Sequence, residues 1–155
     1  MDKRQKILIV DDSKLNRDIL KEILGETYNY LEAENGNQAI QMIGENIEID
    51  LMLLDLNMPQ MNGFEVLKIM KRSQCIAEIP VIMVSSEDAV DTMRKAYELG
   101  ITDYITRPFD SVIVKKRVQN TLGLYMIFGS TFFRDLFSAS IALIASSIIV
   151  PISGV

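Results

Sequence analysis

The feature that most constrains this fold is a series of five short apolar runs that alternate with segments of helical periodicity. The runs are Ile7–Val10, Tyr28–Ala33, Leu51–Leu54, Val81–Val84 and Tyr104–Thr106. Several are apolar at every position, which is typical of strands buried on both faces of a parallel sheet. The helical segments are Lys14–Leu24, Gly36–Ile43, Phe64–Arg72, Ala89–Leu99 and Val112–Leu122. Five such βα units joined by right-handed crossovers predict a doubly wound α/β fold with helices on both faces of the sheet.

Individual residues mark the ends of the predicted helices. Ser13 is a suitable N-cap for the first helix, and Gly25 and Gly100 are natural stops after the first and fourth helices. The first helix has an apolar stripe that we predict to face the sheet: Leu15, Ile19, Leu20, Ile23 and Leu24.

Composition divides the chain into two parts. Residues 1–122 carry 15 of the 16 Lys and Arg residues and 20 of the 21 Asp and Glu residues. We therefore predict one domain over 1–122 and an apolar C-terminal tail over 123–155. The last 20 residues, from Leu136 onward, are free of charge. As one helix this run would be about 30 Å long, although Pro151 is expected to interrupt it.

Charge and residue types exclude several classes of function. The net charge of −5 argues against direct binding of nucleic acid, and we interpret Lys115–Arg117 as the solvated face of the fifth helix. The single cysteine, Cys75, excludes an internal disulfide and fits a reducing compartment. Because the chain has no histidine, His-based catalytic triads and the usual zinc sites are excluded.

Polar side chains follow four of the five predicted strands. Asp11 and Asp12 follow the first, Asp55 the third, Ser85 the fourth and Arg107 the fifth. Since ligands of open α/β sheets bind beyond the carboxyl ends of the strands, these residues form the candidate site. Three carboxylates converging there need a cation, and Mg²⁺ with oxygen ligands is the natural choice. Alternatively, Asp11 and Asp12 only introduce a helix, where negative charge is favoured.

The same residues suit phosphoryl transfer. Asp55 can act as a nucleophile that becomes an aspartyl phosphate. Such a reaction needs charge neutralisation and positioning above all. Arg107 offers a forked cation for phosphate oxygens, and Ser85 offers a hydroxyl donor.

Four segments make the chain resemble the bacterial response-regulator receiver family of two-component signalling, including its chemotaxis regulators. They are Val10–Ser13, Leu53–Gly63, Pro80–Ser86 and Asp103–Phe109, and the likeness extends over about residues 5–122. The stretch from Asp55 to Gly63, with the pattern D-L-N-M-P-x-M-N-G, is the most specific. The resemblance implies a flavodoxin-like, five-stranded parallel sheet in the order 2-1-3-4-5.

The resemblance also implies roles for individual residues. Asp55 is expected to be the phosphoacceptor and Asp12 a direct metal ligand, with Asp11 acting mainly through water and the backbone carbonyl of Asn57 completing the Mg²⁺ site. Ser85 and Tyr104 are expected to move together as the switch on phosphorylation. From the residue alone, Tyr104 would be a half-buried packing aromatic.

Three further positions concern the strength and lifetime of the signal. Asn57 and Glu87 stand two residues after the acceptor and the switch hydroxyl, where the family tunes the lifetime of the aspartyl phosphate. Receivers usually have lysine before the proline at 108, whereas this chain has Arg107. We expect phosphorylation to persist but its coupling to Ser85 and Tyr104 to be altered.

The expected function is a phosphorylation-controlled switch, not an enzyme beyond self-phosphorylation and autodephosphorylation, that works with a histidine kinase or phosphotransfer protein. One alternative is a degenerate receiver that acts without phosphorylation. A less favoured one is an aspartyl-phosphate phosphohydrolase, which would want an acid where Asn57 stands. The oligomeric state stays open, and the candidate surfaces for a homodimer are the face formed by helix 4, strand 5 and helix 5, and the tail.

The tail leaves the location partly open. We expect a cytoplasmic protein, and three interpretations of 123–155 remain: a membrane anchor, a segment that packs against a second copy or partner, and an abnormal C-terminus.

Overall fold

The computed structural model of the chain describes residues 4–126. Five parallel strands form one sheet in the order β2-β1-β3-β4-β5, which confirms the predicted fold class. The strands are β1 (Lys6–Val10), β2 (Asn29–Ala33), β3 (Leu51–Asp55), β4 (Val81–Ser85) and β5 (Asp103–Thr106). The helices are α1 (Lys14–Leu24), α2 (Gly36–Gly44), α3 (Gly63–Arg72), α4 (Val90–Glu98) and α5, which occupies 111–126.

The sheet separates two apolar cores because successive side chains of a strand point to opposite faces. On one face Ile7, Leu53 and Ile82 pack under α1 and α5, with Val118 among the residues from α5. On the other face Leu8, Leu54, Met83 and Tyr104 pack under α2, α3 and α4. Strands β1, β3 and β4 are almost completely buried, as their unbroken apolar sequences predict.

Most predicted helix ends are confirmed. The Ser13 side chain accepts a hydrogen bond from the backbone N–H of Asn16, so Ser13 caps α1 as expected. Gly100 follows α4 with φ of 103°, a conformation that favours glycine. The fifth helix continues beyond the predicted end at Leu122, because Gly123 does not interrupt it.

One prediction about α1 is wrong. Leu15 is 68% exposed, whereas Arg17 is buried together with Leu20 and Leu24. The buried positions 17, 20 and 24 follow the helical repeat, so the face that meets the sheet includes a charged residue in place of Leu15. The reason is a pair of tertiary contacts, because Arg17 finds acceptors at the carboxyl ends of β1 and β2.

Residues 127–155, most of the predicted tail, lie outside the described part of the chain. Within 4–126, no helix has the length and apolar character to cross a membrane.

Candidate functional site

The predicted site residues meet at the carboxyl edge of the sheet. Strand pairing sets Val10 beside Leu54, Asp55 beside Val84, and Ser85 beside Thr106. Residues that are far apart in sequence therefore emerge at one edge. One carboxylate oxygen from each of Asp11, Asp12 and Asp55 lies within 4.8 Å of the other two. Asp11 and Asp55 are buried, whereas Asp12 is exposed.

Asp55 and Asp11 are almost fully enclosed, since Asp55 is 2% exposed and Asp11 is 1% exposed. Burial and then the charge of Asp11 raise the pKa of Asp55 to about 6, against a lowering by Arg107. Burial also raises the pKa of Asp11. Burial therefore disfavours the ionised form of both carboxylates even with Arg107 beside them, and a further cation would favour that form.

The first loop holds Asp11 in place. Its Oδ1 accepts a hydrogen bond from the backbone N–H of Ser13 at 2.8 Å. The side-chain amide of Asn16 donates to both carboxylate oxygens, at 3.4 and 3.2 Å. The backbone carbonyl of Asp11 accepts a hydrogen bond from Arg17 Nη1 at 2.7 Å. Neither Asn16 nor Arg17 was among the predicted site residues.

Arg107 reaches into the cluster from the end of β5. Its Nη2 donates to Asp55 Oδ1 at 2.7 Å and to Asp11 Oδ2 at 3.0 Å. The side chain is 22% exposed, but its Nε is buried and has no hydrogen-bond partner. The peptide bond between Arg107 and Pro108 is cis. The structure therefore brings the predicted cation into direct contact with the predicted acceptor.

A second group of contacts joins the loops after β3 and β4. The Asn57 side-chain amide donates to Glu87 Oε1 at 3.3 Å, and the Thr92 hydroxyl donates to Glu87 Oε2 at 3.2 Å. Asn57 and Glu87 are both exposed, so their bridge lies at the rim of the site. The backbone N–H of Asn57 points to Asp55 Oδ1 at 3.4 Å.

Ser85 and Tyr104 are both buried beside this rim. The backbone N–H of Glu87 donates to Ser85 Oγ at 3.0 Å, and the Tyr104 hydroxyl donates to the carbonyl of Glu87 at 2.8 Å. Burial raises the pKa of the Tyr104 hydroxyl, against a lowering by the hydroxyl of Ser85. Tyr104 is only 1% exposed, so its ring packs in the core beneath α4.

The start of α3 packs closely on the end of β3. A Cβ atom at Gly63 would lie 2.6 Å from the carbonyl oxygen of Asp55 and 3.0 Å from Leu56 Cα. Asn62 and Glu65 form a capping box that fixes this helix start. The D-L-N-M-P-x-M-N-G stretch thus comprises Asp55, the loop after it and the helix start that packs on its backbone.

Comparisons with known proteins agree with this geometry. The family model of the response regulator receiver domain matches residues 7–119. The chain belongs to this family. A chemotaxis protein CheY homolog from Campylobacter jejuni is 33% identical over 120 residues, which cover 76% of this chain and 92% of that protein.

Two further matches are to part of a longer protein and to a solved structure. A probable cyclic di-GMP phosphodiesterase from Vibrio cholerae is 34% identical over 116 residues, or 75% of this chain and 26% of that protein. The crystal structure of the signal receiver domain of a Luxo repressor protein from Vibrio parahaemolyticus has a TM-score of 0.74 at 27% identity. That likeness covers 80% of this chain and 94% of that one. This chain is therefore a receiver domain of the two-component and chemotaxis type.

Proposed function

We propose that the chain is a signalling switch that accepts a phosphoryl group on Asp55 from a histidine kinase or phosphotransfer protein, with Mg²⁺ bound beside it. The observation that carries this proposal is the placement of Asp55. It is a buried carboxylate at the end of the central strand, with two further carboxylates and one guanidinium around it.

The donor set fits a hard divalent cation. Asp11, Asp12 and Asp55 supply carboxylate oxygens, and the backbone carbonyl of Asn57 is proposed as a further ligand. Burial raises the pKa of Asp55 and of Asp11, so a further positive charge beside them would favour their ionised forms. When bound, Mg²⁺ would neutralise the negative charge that develops between acceptor and phosphoryl group.

In the transfer itself, the protein contributes one covalent step, the attack by Asp55. An oxygen of Asp55 attacks the phosphorus of a phosphohistidine, the P–O bond forms as the P–N bond breaks, and the histidine nitrogen leaves and takes up a proton. Arg107 pairs with phosphoryl oxygens, and the Ser85 hydroxyl donates to one of them. Water later attacks the same phosphorus, which returns the free Asp55 carboxylate and inorganic phosphate.

The bridge between Asn57 and Glu87 supports a role for these residues in the lifetime of the aspartyl phosphate. It joins the loops after β3 and β4 at the exposed rim of the site, two residues along the chain from Asp55. Tyr104 and Ser85 are proposed as the switch, because both contact the Glu87 backbone that continues into this rim.

The face formed by α4, β5 and α5 is the proposed surface for partners or a second copy. It carries exposed apolar side chains at Val90, Tyr97, Val112 and Ile113, which range from 45% to 67% exposed. Asp103 accepts hydrogen bonds from Tyr97 and from Arg117, so one carboxylate joins the three elements of this face.

The test is intact-mass measurement after incubation with Mg²⁺ and a small phosphodonor. We expect one phosphoryl adduct on the wild type and on Asp91→Asn, a control at a side chain that is 93% exposed. Asp55→Asn, or removal of Mg²⁺ by a chelator, should abolish the adduct.

Two other results would point elsewhere. A folded protein that binds Mg²⁺ and forms no adduct would favour the phosphorylation-independent interaction module. Steady turnover of small phosphate esters would favour the phosphohydrolase, although that class would need an acidic residue at position 57, where this chain has Asn57.

A further inference from the structure

The Asn16 side chain contacts both oxygens of the Asp11 carboxylate. Its amide nitrogen Nδ2 lies 3.4 Å from Asp11 Oδ1 and 3.2 Å from Asp11 Oδ2. A primary amide carries two hydrogens, so one Asn16 side chain can donate to both oxygens at once. Both distances are longer than the usual value of about 2.9 Å, as expected for a donor that is shared between two acceptors.

The way in which α1 begins leaves this amide available for Asp11. Ser13 caps the helix, and Asn16 is the third helical residue, whose backbone N–H donates to Ser13 Oγ at 3.3 Å. The same position in the capping box of α3 is Glu65, whose carboxylate accepts from the backbone N–H of the N-cap residue at 2.8 Å. In α1 the backbone N–H of Ser13 donates to Asp11 Oδ1 instead. The third helical position of α1 therefore needs no acid, and an amide there can donate to Asp11.

The orientation of the Asp11 carboxylate depends on its hydrogen-bond partners, because rotation about an aspartate Cβ–Cγ bond is soft. The backbone N–H of Ser13 holds Oδ1 at 2.8 Å but does not contact Oδ2. Within residues 4–126, the side chains that donate to Oδ2 are Asn16 and Arg107. Of these two, Asn16 has the shorter side chain, lies on the first turn of α1 and contacts both oxygens. It is therefore the residue best placed to fix the plane of the carboxylate.

We propose that Asn16 is a positioning residue that fixes the plane of the Asp11 carboxylate and thereby strengthens Mg²⁺ binding at the site. This inference rests on the metal site of the proposed function. A carboxylate that is already oriented loses less freedom when the metal binds, so its hydrogen-bond partners contribute to metal affinity without contacting the ion. Because the Asn16 amide is uncharged, it orients Asp11 without the repulsion that a cationic donor would exert on Mg²⁺.

The test is a Mg²⁺ titration followed by backbone amide shifts at the strand ends, at constant ionic strength and without phosphodonor. Asn16→Leu removes both donors and nearly keeps the shape of the side chain. We expect it to raise the Mg²⁺ dissociation constant by about tenfold, which is typical of losing a hydrogen-bond partner of a metal ligand. Thermal unfolding without metal verifies that each variant is folded.

Asn37→Leu is the matched control, since Asn37 is an exposed asparagine near the start of α2. We expect it to change the dissociation constant by less than about twofold, as is usual for a surface substitution away from the site. Asp12→Asn identifies the titrated site, because Asp12 belongs to the carboxylate cluster. It should weaken Mg²⁺ binding strongly.

A second background separates the positioning of Asp11 from a general effect on α1. In Asp11→Asn no carboxylate is left for Asn16 to orient. Adding Asn16→Leu to this background should therefore change the dissociation constant by less than about twofold. An equal loss of affinity in both backgrounds would overturn the proposal, because Asn16 would then act by a route other than Asp11.

The side-chain amide signals of Asn16 provide a readout that does not require the metal, and they are assigned by their loss in Asn16→Leu. The amide protons of Asn16 should exchange with solvent more slowly than those of Asn37, and Asp11→Ala should remove this difference. The measurement also decides the case in which Asp11→Asn binds Mg²⁺ too weakly to titrate. Equal exchange at Asn16 and Asn37 in the wild type, or slow exchange that persists in Asp11→Ala, would contradict the positioning role.

The two proposals fail in different ways. If the wild type binds Mg²⁺ through Asp12 and Asn16→Leu binds it equally tightly, the positioning role is wrong and the metal site stands. If the wild type does not bind Mg²⁺, the proposed metal site is wrong and the positioning role falls with it.

Discussion

Two arginines contact Asp11 in different ways, and the difference separates a structural cation from a functional one. Arg17 donates to the backbone carbonyl of Asp11 and to Glu32 at 2.9 Å, and it has a weaker ion pair with Glu34 at 3.7 Å. Arg107 donates to the Asp11 carboxylate and to Asp55. The side chains are 6% and 22% exposed, respectively.

The acceptors of Arg17 have no other proposed role, whereas both acceptors of Arg107 are proposed to take part in metal binding and phosphoryl transfer. Arg17 therefore ties α1 to the ends of β1 and β2. Arg107 joins two carboxylates of the proposed site. The two arginines thus differ in what else their acceptors are proposed to bind.

The largest effect on stability is expected when Arg17 is removed. We expect Arg17→Met to lower the free energy of unfolding by about 3 to 4 kcal/mol, because it leaves a buried carbonyl and part of the Glu32 charge without a partner. Urea denaturation measures this loss, with Arg94→Met as the exposed control. A loss below about 1 kcal/mol would show that Arg17 is no more structural than a surface residue.

A smaller effect on the free energy of unfolding, of opposite sign, is expected for Asp55, the proposed phosphoacceptor. The pKa of Asp55 rises from 3.8 to about 6 on folding, so ionising it costs stability as pH rises through that interval. Below pH 4 this cost is absent, and above pH 6 it is complete, with an upper bound of about 3 kcal/mol. Without metal, Asp55→Asn should therefore be more stable than the wild type by about 2 kcal/mol at pH 8.

The measurement compares urea denaturation of the two proteins at pH 4 and pH 8 in the presence of a chelator. The gain should be largest at pH 8 and should nearly vanish at pH 4. An equal difference at both pH values would exclude ionisation of Asp55 as its cause.

Magnesium should sharpen the comparison, since it acts on the partners of Arg107 and leaves those of Arg17 alone. At a free Mg²⁺ concentration tenfold above its dissociation constant, the wild type should gain about 1.4 kcal/mol. Thermal unfolding in MgCl₂ and in NaCl of equal ionic strength measures this gain. Glu32→Gln should retain this gain in stability, and Asp12→Asn should lose it. The reverse pattern would place the metal beside Arg17.

The smallest effect is expected for Glu34, the most exposed partner of Arg17. Its side chain is 67% exposed and lies 3.7 Å from the guanidinium. Glu34→Gln should therefore change the free energy of unfolding by about 0.5 kcal/mol or less in urea denaturation. A loss comparable to that of Arg17→Met would mean that this ion pair, and not the Asp11 carbonyl, holds the arginine.

The sequence was sufficient to predict the strands and the residues that gather at their ends. Unbroken apolar runs identify buried parallel strands, and parallel strands bring Asp11, Asp55, Ser85 and Arg107 to one edge. These predictions succeed because each depends on a short local pattern. The order of the strands came from the resemblance to the receiver family, and the roles that this resemblance implies for the site residues stay predictions.

The contacts of Arg17 and Asn16 were not predicted, because they depend on how α1 is rotated against the sheet. Leu15 was the obvious candidate for the buried face, and nothing local shows that Arg17 replaces it. The one available signal is the spacing of Arg17 with Leu20 and Leu24, which places it in the buried repeat. The two hydrogen bonds of Arg107 could not be predicted either, because they depend on the side-chain positions of distant residues. Asp55 is 52 residues and Asp11 is 96 residues away from Arg107 along the chain.

The close contact at Gly63 also limits how this switch can be redesigned. Because even one added carbon would press on the backbone of Asp55, that position accepts a single amino acid unless the helix retreats. A mutational library would therefore find position 63 closed to variation. Exposed Asn57 and Glu87 leave the opposite rim open, so variants that test the proposed control of aspartyl-phosphate lifetime belong there.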